Sequence, residues 1–177
     1  MPRFPMTSLL VLSLIAPAAL AAQTAAPNLS DPEVAHVAVT ANAIDIDAAR
    51  FALTRTRNAE VRQFADLMVT DHSAVNAQAS ALATRLGVTP ADNAVSRSLV
   101  DGAATAHRSL EALHGKAFDR AYLDREVGYH QAVLDALDGL LIPTTDNADL
   151  KALLQQVRPA IAAHLDHAKM LRTKLGS

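Results

Sequence analysis

"EVRQFADLMVTDHSAVNAQASALATRLG", Glu60 to Gly87, decides how this chain folds. Val61, Phe64, Met68, Val75, Ala79, Leu82 and Leu86 recur at the spacing of a helix that buries one face. Asn58 stands where a cap is needed, Glu60 lies in the first turn, and Gly87 before Val88 reads as a C-terminus. The same stripe carries an ionisable pair. With Met68 at the centre of the face and about 100° per residue, His72 falls about 40° to one side and Asp71 about 60° to the other. His72 therefore takes a seam position, and Asp71 borders the same face.

Upstream, "SDPE" at 30–33 is a helix start: Ser30 and Glu33 form a capping box, and Pro32 sits in the first turn, where it does no harm. The spacing predicts a helix over Asp31 to Arg55 with the seam Val34, Val37, Ala41, Ile44, Ala48 and Phe51. The connection to the next helix is very short, so the two form an antiparallel hairpin. "TPAD" at 89–92 predicts a further helix, with Thr89 as cap and Pro90 at the first position, ending at Gly115. It carries Leu99, Ala103, Ala106, Leu110 and Leu113 and reads as a crossover. His114 then stands at its end, where a cation suits the helix dipole.

A third long helix is expected over Ala117 to Leu141, with Leu123, Val127, Leu134, Leu137 and Leu141 on its seam. Pro143 and "TTDN" form a turn. A fourth is expected over Ala148 to Leu175, with Leu150, Leu154, Val157, Ile161, Ala168 and Leu171 on one face. Pro159 lies inside it and predicts a kink. Two long hairpins joined by a helical crossover make an all-α, ferritin-like four-helix bundle over residues 30–177. No period-two strand pattern and no solenoid-length repeat is present.

The first residues, "MPRFPMTSLLVLSLIAPAALAAQTAAP", have a positive Arg3, an apolar run over Leu9 to Leu20 and an A-x-A pattern at Ala19–Ala21. They predict a signal peptide over 1–21 and a flexible lead-in over 22–29. An uncleaved anchor is the alternative, since residues 7–26 carry no charge; Pro17 and the small-residue site favour cleavage. The chain has no Cys, hence no disulfide and no lipid anchor on an N-terminal Cys. Periplasmic or secreted localisation follows as the expectation, without a membrane span once the signal is removed. Only 3% of the residues are aromatic, so the core is built from Leu, Val, Ile and Ala. The net charge is -2 and no basic face stands out, which gives nucleic-acid binding no support.

Polar residues fall on all four seams. His72 lies between Met68 and Val75. His130 lies between Val127 and Leu134, with Glu126 four residues earlier on the same side. His164 lies between Ile161 and Ala168, and Asp45 sits beside Ile44 at the edge of the first seam. Neutral imidazole and carboxylate bind Zn, Fe or Cu without thiolates, and helical bundles build such sites from facing helices. The candidate ligands are His72, His130, His164, Asp71, Glu126 and Asp45. "EVGYH" has one residue too many for E-x-x-H, and "HLDH" has no Glu, so the paired motif of a carboxylate-bridged di-iron site is absent. The competing explanation is a buried hydrogen-bond network of these histidines with Asp71, Asp119 and Tyr122 that fixes helix register; Asp45 and Asp47 then read as a solvated edge. Under it the protein is a non-catalytic structural or interaction module of the envelope. His36 and His107 read as surface or packing residues. No G-x-S-x-G, P-loop or Gly-rich cofactor loop is present, and no reaction is assigned.

The opening stretch, together with "DIDAARFALTR" (45–55), "FDRAYLDREVGYHQAVLD" (118–135) and "RPAIAAHLDHAKMLRTKL" (158–175), resembles the bacterial envelope proteins of the domain of unknown function 4142 family. The resemblance covers Asp31 to Leu175. It implies a ferritin-like bundle exported to the periplasm or outer membrane, with no established activity; an envelope protein is the partner expected of an interaction module. Family positions fall on Asp71, His72, Asp119, Tyr122, His130, Pro159 and His164. The family tends to carry Glu where this chain has Asp45, and Glu126 and His167 lie outside its pattern.

Overall fold

The computed structural model describes residues 27–176; the expected signal peptide and most of the lead-in lie outside the described residues. The described chain is all helical. Helix α1 runs Asp31–Arg55, α2 Ala59–Leu86, α3 Ala94–Glu111 and α4 Gly115–Ala136. A π-helical turn, Leu137–Leu141, and the short α5, Ile142–Thr144, extend α4, and α6 runs Ala148–Gly176. Helices α1 and α2 pack as one hairpin, α4 and α6 as the other, and α3 crosses over against α1 and α4. This is the four-helix bundle with a helical crossover.

Local chemistry sets the boundaries. Glu33 accepts a hydrogen bond from the Ser30 N–H at 2.9 Å, and Leu29 and Val34 on either side of the cap are both buried in one apolar cluster. That is a capping box with a hydrophobic staple, which fixes how the chain enters α1. Asn58 Oδ1 accepts from the N–H groups of Glu60 and Val61 at 2.9 and 3.2 Å. Gly87 ends α2 at φ +63°, a conformation that strains any residue with a Cβ.

The crossover departs from the sequence expectation. Asn93, not Thr89, caps α3: its side chain accepts from Val95 and Ser96, and Ser96 Oγ accepts from the Asn93 N–H. The Asn93 amide also donates to the Glu33 carbonyl of α1 at 3.1 Å, and the Ala91 N–H donates to the Pro32 carbonyl. Residues 89–92 are thus spent docking the chain onto α1 before the helix begins. At the other end α3 stops at Glu111, whose carbonyl accepts from Arg55 at 3.2 Å. His114 is the N-cap of α4 instead, the end where a cation is disfavoured, so the dipole role expected of it does not hold. Gly115, at φ +56°, makes the corner.

The seam of α1 also differs. Beyond Val37 the buried residues are Asn42, Asp45, Ile46, Ala49 and Ala52 rather than Ala41, Ile44, Ala48 and Phe51. The face is rotated by one residue because two polar side chains occupy it. The consequence runs through the bundle. One apolar cluster contains Ala52, Phe64, Met68, Phe118, Leu123 and Ala168; another contains Val34, Val37, Leu134, Leu154 and Ile161. Between them, along every long helix, lies a polar layer: Asn42 and Asp45, His72, Glu126 and His130, and His164. All six are buried.

Candidate metal centre

Burying six polar side chains in one layer is costly unless each is paired. The pairing is half complete, and the incomplete half points inward. His130 Nδ1 lies 3.0 Å from the Glu126 carbonyl, an obligate acceptor, so Nδ1 carries the proton and Nε2 presents a lone pair. His164 Nε2 lies 2.9 Å from Asp71 Oδ2 and donates to it, which leaves Nδ1 as the lone pair. His72 Nδ1 lies 2.7 Å from Asn42 Oδ1; the Asn42 amide donates to the Ala38 carbonyl, so its oxygen faces the ring and His72 Nε2 is left as the lone pair.

The three nitrogens left over, His72 Nε2, His130 Nε2 and His164 Nδ1, are buried and have no hydrogen-bond partner among the described residues, and neither has Asp45 Oδ2. One ring nitrogen from each histidine lies within 4.8 Å of the other two. The ring centroids are 5.3–5.7 Å apart. Asp45 Oδ2 is 3.0 Å from His72 Nε2 and 3.9 Å from His130 Nε2. Two ligand atoms bound to one ion at about 2.1 Å stand about 3.0–3.4 Å apart, so this spacing matches shared coordination or needs only small closure.

Arg125 fixes the carboxylates. Its Nη1 donates to Asp45 Oδ1 and to Glu126 Oε1, each at 2.6 Å. Its guanidinium lies over the Tyr129 ring at 4.2 Å, and the Tyr129 hydroxyl donates to the Ala41 carbonyl at 2.8 Å. Burial opposes ionisation of Asp45, but the charge of Arg125, whose Nη1 donates to Oδ1, helps to hold this carboxyl well below the usual range. Glu126 goes the other way: burial, reinforced by the charge of Asp45, pushes it well above the usual range despite Arg125. One carboxyl of the pair is ionised and the other neutral. Burial lowers His130 to about 4 and lowers His164 too, so both rings are neutral at neutral pH. A neutral ring is the form that binds a metal.

The six candidate ligands thus occupy different places. His72, His130 and His164 converge, and Asp45 reaches His72 and His130. Asp71 lies behind His164, with its side chain 41% exposed, and touches the ring from the outside. Glu126 borders Asp45 and His130 in a second grouping within 4.8 Å, with one oxygen taken by Arg125. Asp45 is no solvated edge: it is fully buried, whereas Asp47 is exposed. Asp119 and Tyr122 lie further along the α4 face, each with an unpartnered buried oxygen. His107 packs on the Phe51 ring and His167 on that of Phe64, away from the centre. Sequence reasoning missed Asn42 and the bridging role of Arg125. The signal for Asn42 was its spacing of three from Asp45, which put both polar residues on one stripe.

A model of the family described as "Domain of unknown function (DUF4142)" matches residues 16–171, and the chain belongs to that family. No curated protein matches the sequence. Among solved structures, the fold is similar to "CopM in the Cu(II)-bound form", with a TM-score of 0.62 and 15% identity over 82% of this chain and 98% of that one. It is similar also to "CopM in the Ag-bound form (by co-crystallization)", with the same score and identity, over 82% and 97%. At that identity the likeness speaks for the fold alone. No helix among the described residues is long and apolar enough to cross a membrane.

Proposed function

We propose that this member of the DUF4142 family holds one transition-metal ion, copper first, in the polar layer of its bundle. The ligands are His72 Nε2, His130 Nε2, His164 Nδ1 and Asp45 Oδ2, and the role is metal handling in the cell envelope. The observation that carries the reading is a set of buried, unpartnered atoms from four helices: one ring nitrogen of each histidine within 4.8 Å of the other two, and Asp45 Oδ2 at 3.0 Å from His72 Nε2 and 3.9 Å from His130 Nε2. A bound ion would supply the positive charge that these lone pairs lack. The residues around them orient the ligands: Asn42, the Glu126 carbonyl and Asp71 each fix the tautomer of one imidazole. Arg125 holds Asp45 Oδ1 so that Oδ2 faces the histidines.

Three nitrogens and one oxygen without thiolate suit Cu(II) or Zn(II), and Cu(II) stands above Zn(II) and Fe(II) in the general affinity order. The Cu(II)-bound and Ag-bound neighbours support the same choice. The four ligand residues are at most 5% exposed, which favours retention of an ion over rapid turnover at it. Export to the periplasm rests on the signal-peptide pattern of residues 1–21.

The test is titration of purified, chelator-treated protein with Cu(II) and with Zn(II), read by bound metal per chain and by the nitrogen hyperfine pattern of the Cu(II) spectrum. One tightly held ion with three nitrogen ligands is expected, lost in the His72→Ala/His130→Ala double variant. At a free ion concentration of about 100 Kd the bound form gains about 2.7 kcal/mol, seen as a rise of several degrees in melting temperature. A protein that takes up no stoichiometric metal and melts unchanged overturns the reading in favour of a structural hydrogen-bond network.

A further inference from the structure

The four proposed ligand residues are buried, so an ion that reaches them passes through the wall of the bundle, and that wall differs from side to side. Between α1 and α3 a surface groove has Val39, Ile44, Val100 and Arg125 in its walls. The group in contact with Asp45 there is the Arg125 guanidinium, at 2.6 Å, so an arriving cation meets a fixed positive charge. Along α2 an apolar cavity of about 170 Å³ reaches His72 and His130 past Val75, Ala79 and Leu82. A divalent ion gives up its water in such a lining without gaining ligands, which is costly. Between α2 and α6 the approach is of another kind. Asp71 Oδ2 lies 2.9 Å from His164 Nε2, and the Asp71 side chain is 41% exposed against 6% for His164. This carboxylate meets water on one side and a proposed ligand on the other.

We infer that Asp71 is the port of the metal centre: a hydrated divalent ion binds the Asp71 carboxylate first and then passes the His164 ring to the inner ligands. The inference rests on the metal reading above and adds a kinetic role for Asp71 to its orienting one. A half-exposed carboxylate captures a hydrated cation without stripping its water, which neither of the other two sides allows. With Oδ2 turned to His164, Oδ1 is the oxygen left for that capture. His164 is the door because its Nε2 faces Asp71 and its other nitrogen belongs to the inner group of three. Asp71 is also the one hydrogen-bond partner of the ring among the described residues, since Nδ1 has none. An ion that draws the carboxylate away therefore frees the ring to move.

Stopped-flow mixing of chelator-treated protein with Cu(II) tests this, read by quenching of tyrosine fluorescence; the Tyr129 ring lies 6.2 Å from that of His130. Asp71→Asn keeps an acceptor oxygen for His164 and loses the charge. It is expected to slow entry by at least about tenfold. Release to excess chelator is expected to slow as well, because one port serves both directions, so Kd moves by less than the entry rate does. Asp71→Glu is expected to restore most of the rate. Ala79→Phe, which puts a ring into the apolar cavity, is expected to leave it unchanged. Entry into the parent slows as salt is raised, and does so less in Asp71→Asn. An Asp71→Asn variant that takes up Cu(II) as fast as the parent overturns the inference, and so does Ala79→Phe slowing entry more than Asp71→Asn. Faster release with unchanged entry leaves Asp71 the orienting role alone and overturns it too. A parent that binds no Cu(II) at equilibrium fails the metal reading itself, and that outcome is separate from every rate.

Discussion

His72 Nε2 and Asp45 Oδ2 lie 3.0 Å apart although the His72 proton is turned the other way, toward Asn42 at 2.7 Å. Two lone pairs at that distance repel unless a proton or a metal ion stands between them. Asp45→Asn keeps the shape and removes the charge. The variant is expected to weaken Cu(II) binding by more than about a hundredfold, beyond the usual effect of losing an outer partner. Competition against a chromogenic chelator measures this, and unchanged affinity would remove Asp45 from the ligand set.

Asp71 acts from behind. It accepts from His164 Nε2 at 2.9 Å and so turns Nδ1 toward the centre. In Asp71→Ala the ring is free to adopt the other tautomer, but all four proposed ligands remain. Affinity is expected to fall by about 10–100-fold with the number of bound ions unchanged. His164→Ala, by contrast, is expected to change the nitrogen hyperfine pattern as well. Equal spectra for the two variants would contradict this division of roles.

Acid should destabilise the metal-free protein in a defined window. His130 falls from 6.5 to about 4 on folding, and His164 is lowered too. Below 6.5 the unfolded chain takes up protons that the folded rings refuse, so the stability present above 6.5 is lost as pH falls toward 4. Each such group contributes a slope of up to about 1.4 kcal/mol per pH unit. Glu126 has the opposite sign: its raised carboxyl keeps a proton that the unfolded chain gives up above 4.5, so its contribution falls as pH rises. Glu126→Gln removes that counter-slope. Urea unfolding at pH 4.5–6.5 is therefore expected to show a steeper acid loss in Glu126→Gln than in the parent. A shallower slope in the variant would reverse the assignment of protons in the pair.

The long helices and their hairpins were legible because apolar periodicity, Ser30, Asn58 and Gly87 all agree. The limits of α1 and α2 stand where periodicity and caps put them. Two things were not legible, for physical reasons. The start of α3 depends on Asn93 reaching across to α1, a contact sixty residues away that local cap chemistry at Thr89 and Pro90 cannot reveal. The face of α1 was misjudged because hydrophobicity alone pulls the seam toward Ala41 and Ile44, whereas Asn42 and Asp45 are buried by their partners on α2 and α4. His72, His130 and His164 stood out as seam residues. The roles of Asn42, Asp71 and Arg125 follow from geometry between helices, to which sequence spacing is blind.

Arg125 is the residue whose loss should cost the fold most. Its side chain is 11% exposed, its Nη1 serves Asp45 and Glu126 at 2.6 Å each, and its guanidinium rests on Tyr129. Arg125→Met keeps much of the apolar stem but leaves an ionised Asp45 at zero exposure without its cation. Removing one partner of a buried pair in this way costs about 3–5 kcal/mol, or about 10 °C in melting temperature for a chain of this size. The cost comes from the stranded charge rather than from lost packing. Adding Asp45→Asn to Arg125→Met is therefore expected to recover part of the loss, with a coupling of about 1–3 kcal/mol in a double-mutant cycle. The cycle separates this from a purely steric role for Arg125, which predicts additive losses. A single Arg125→Met variant within about 1 kcal/mol of the parent would mean that water, and not this guanidinium, compensates Asp45.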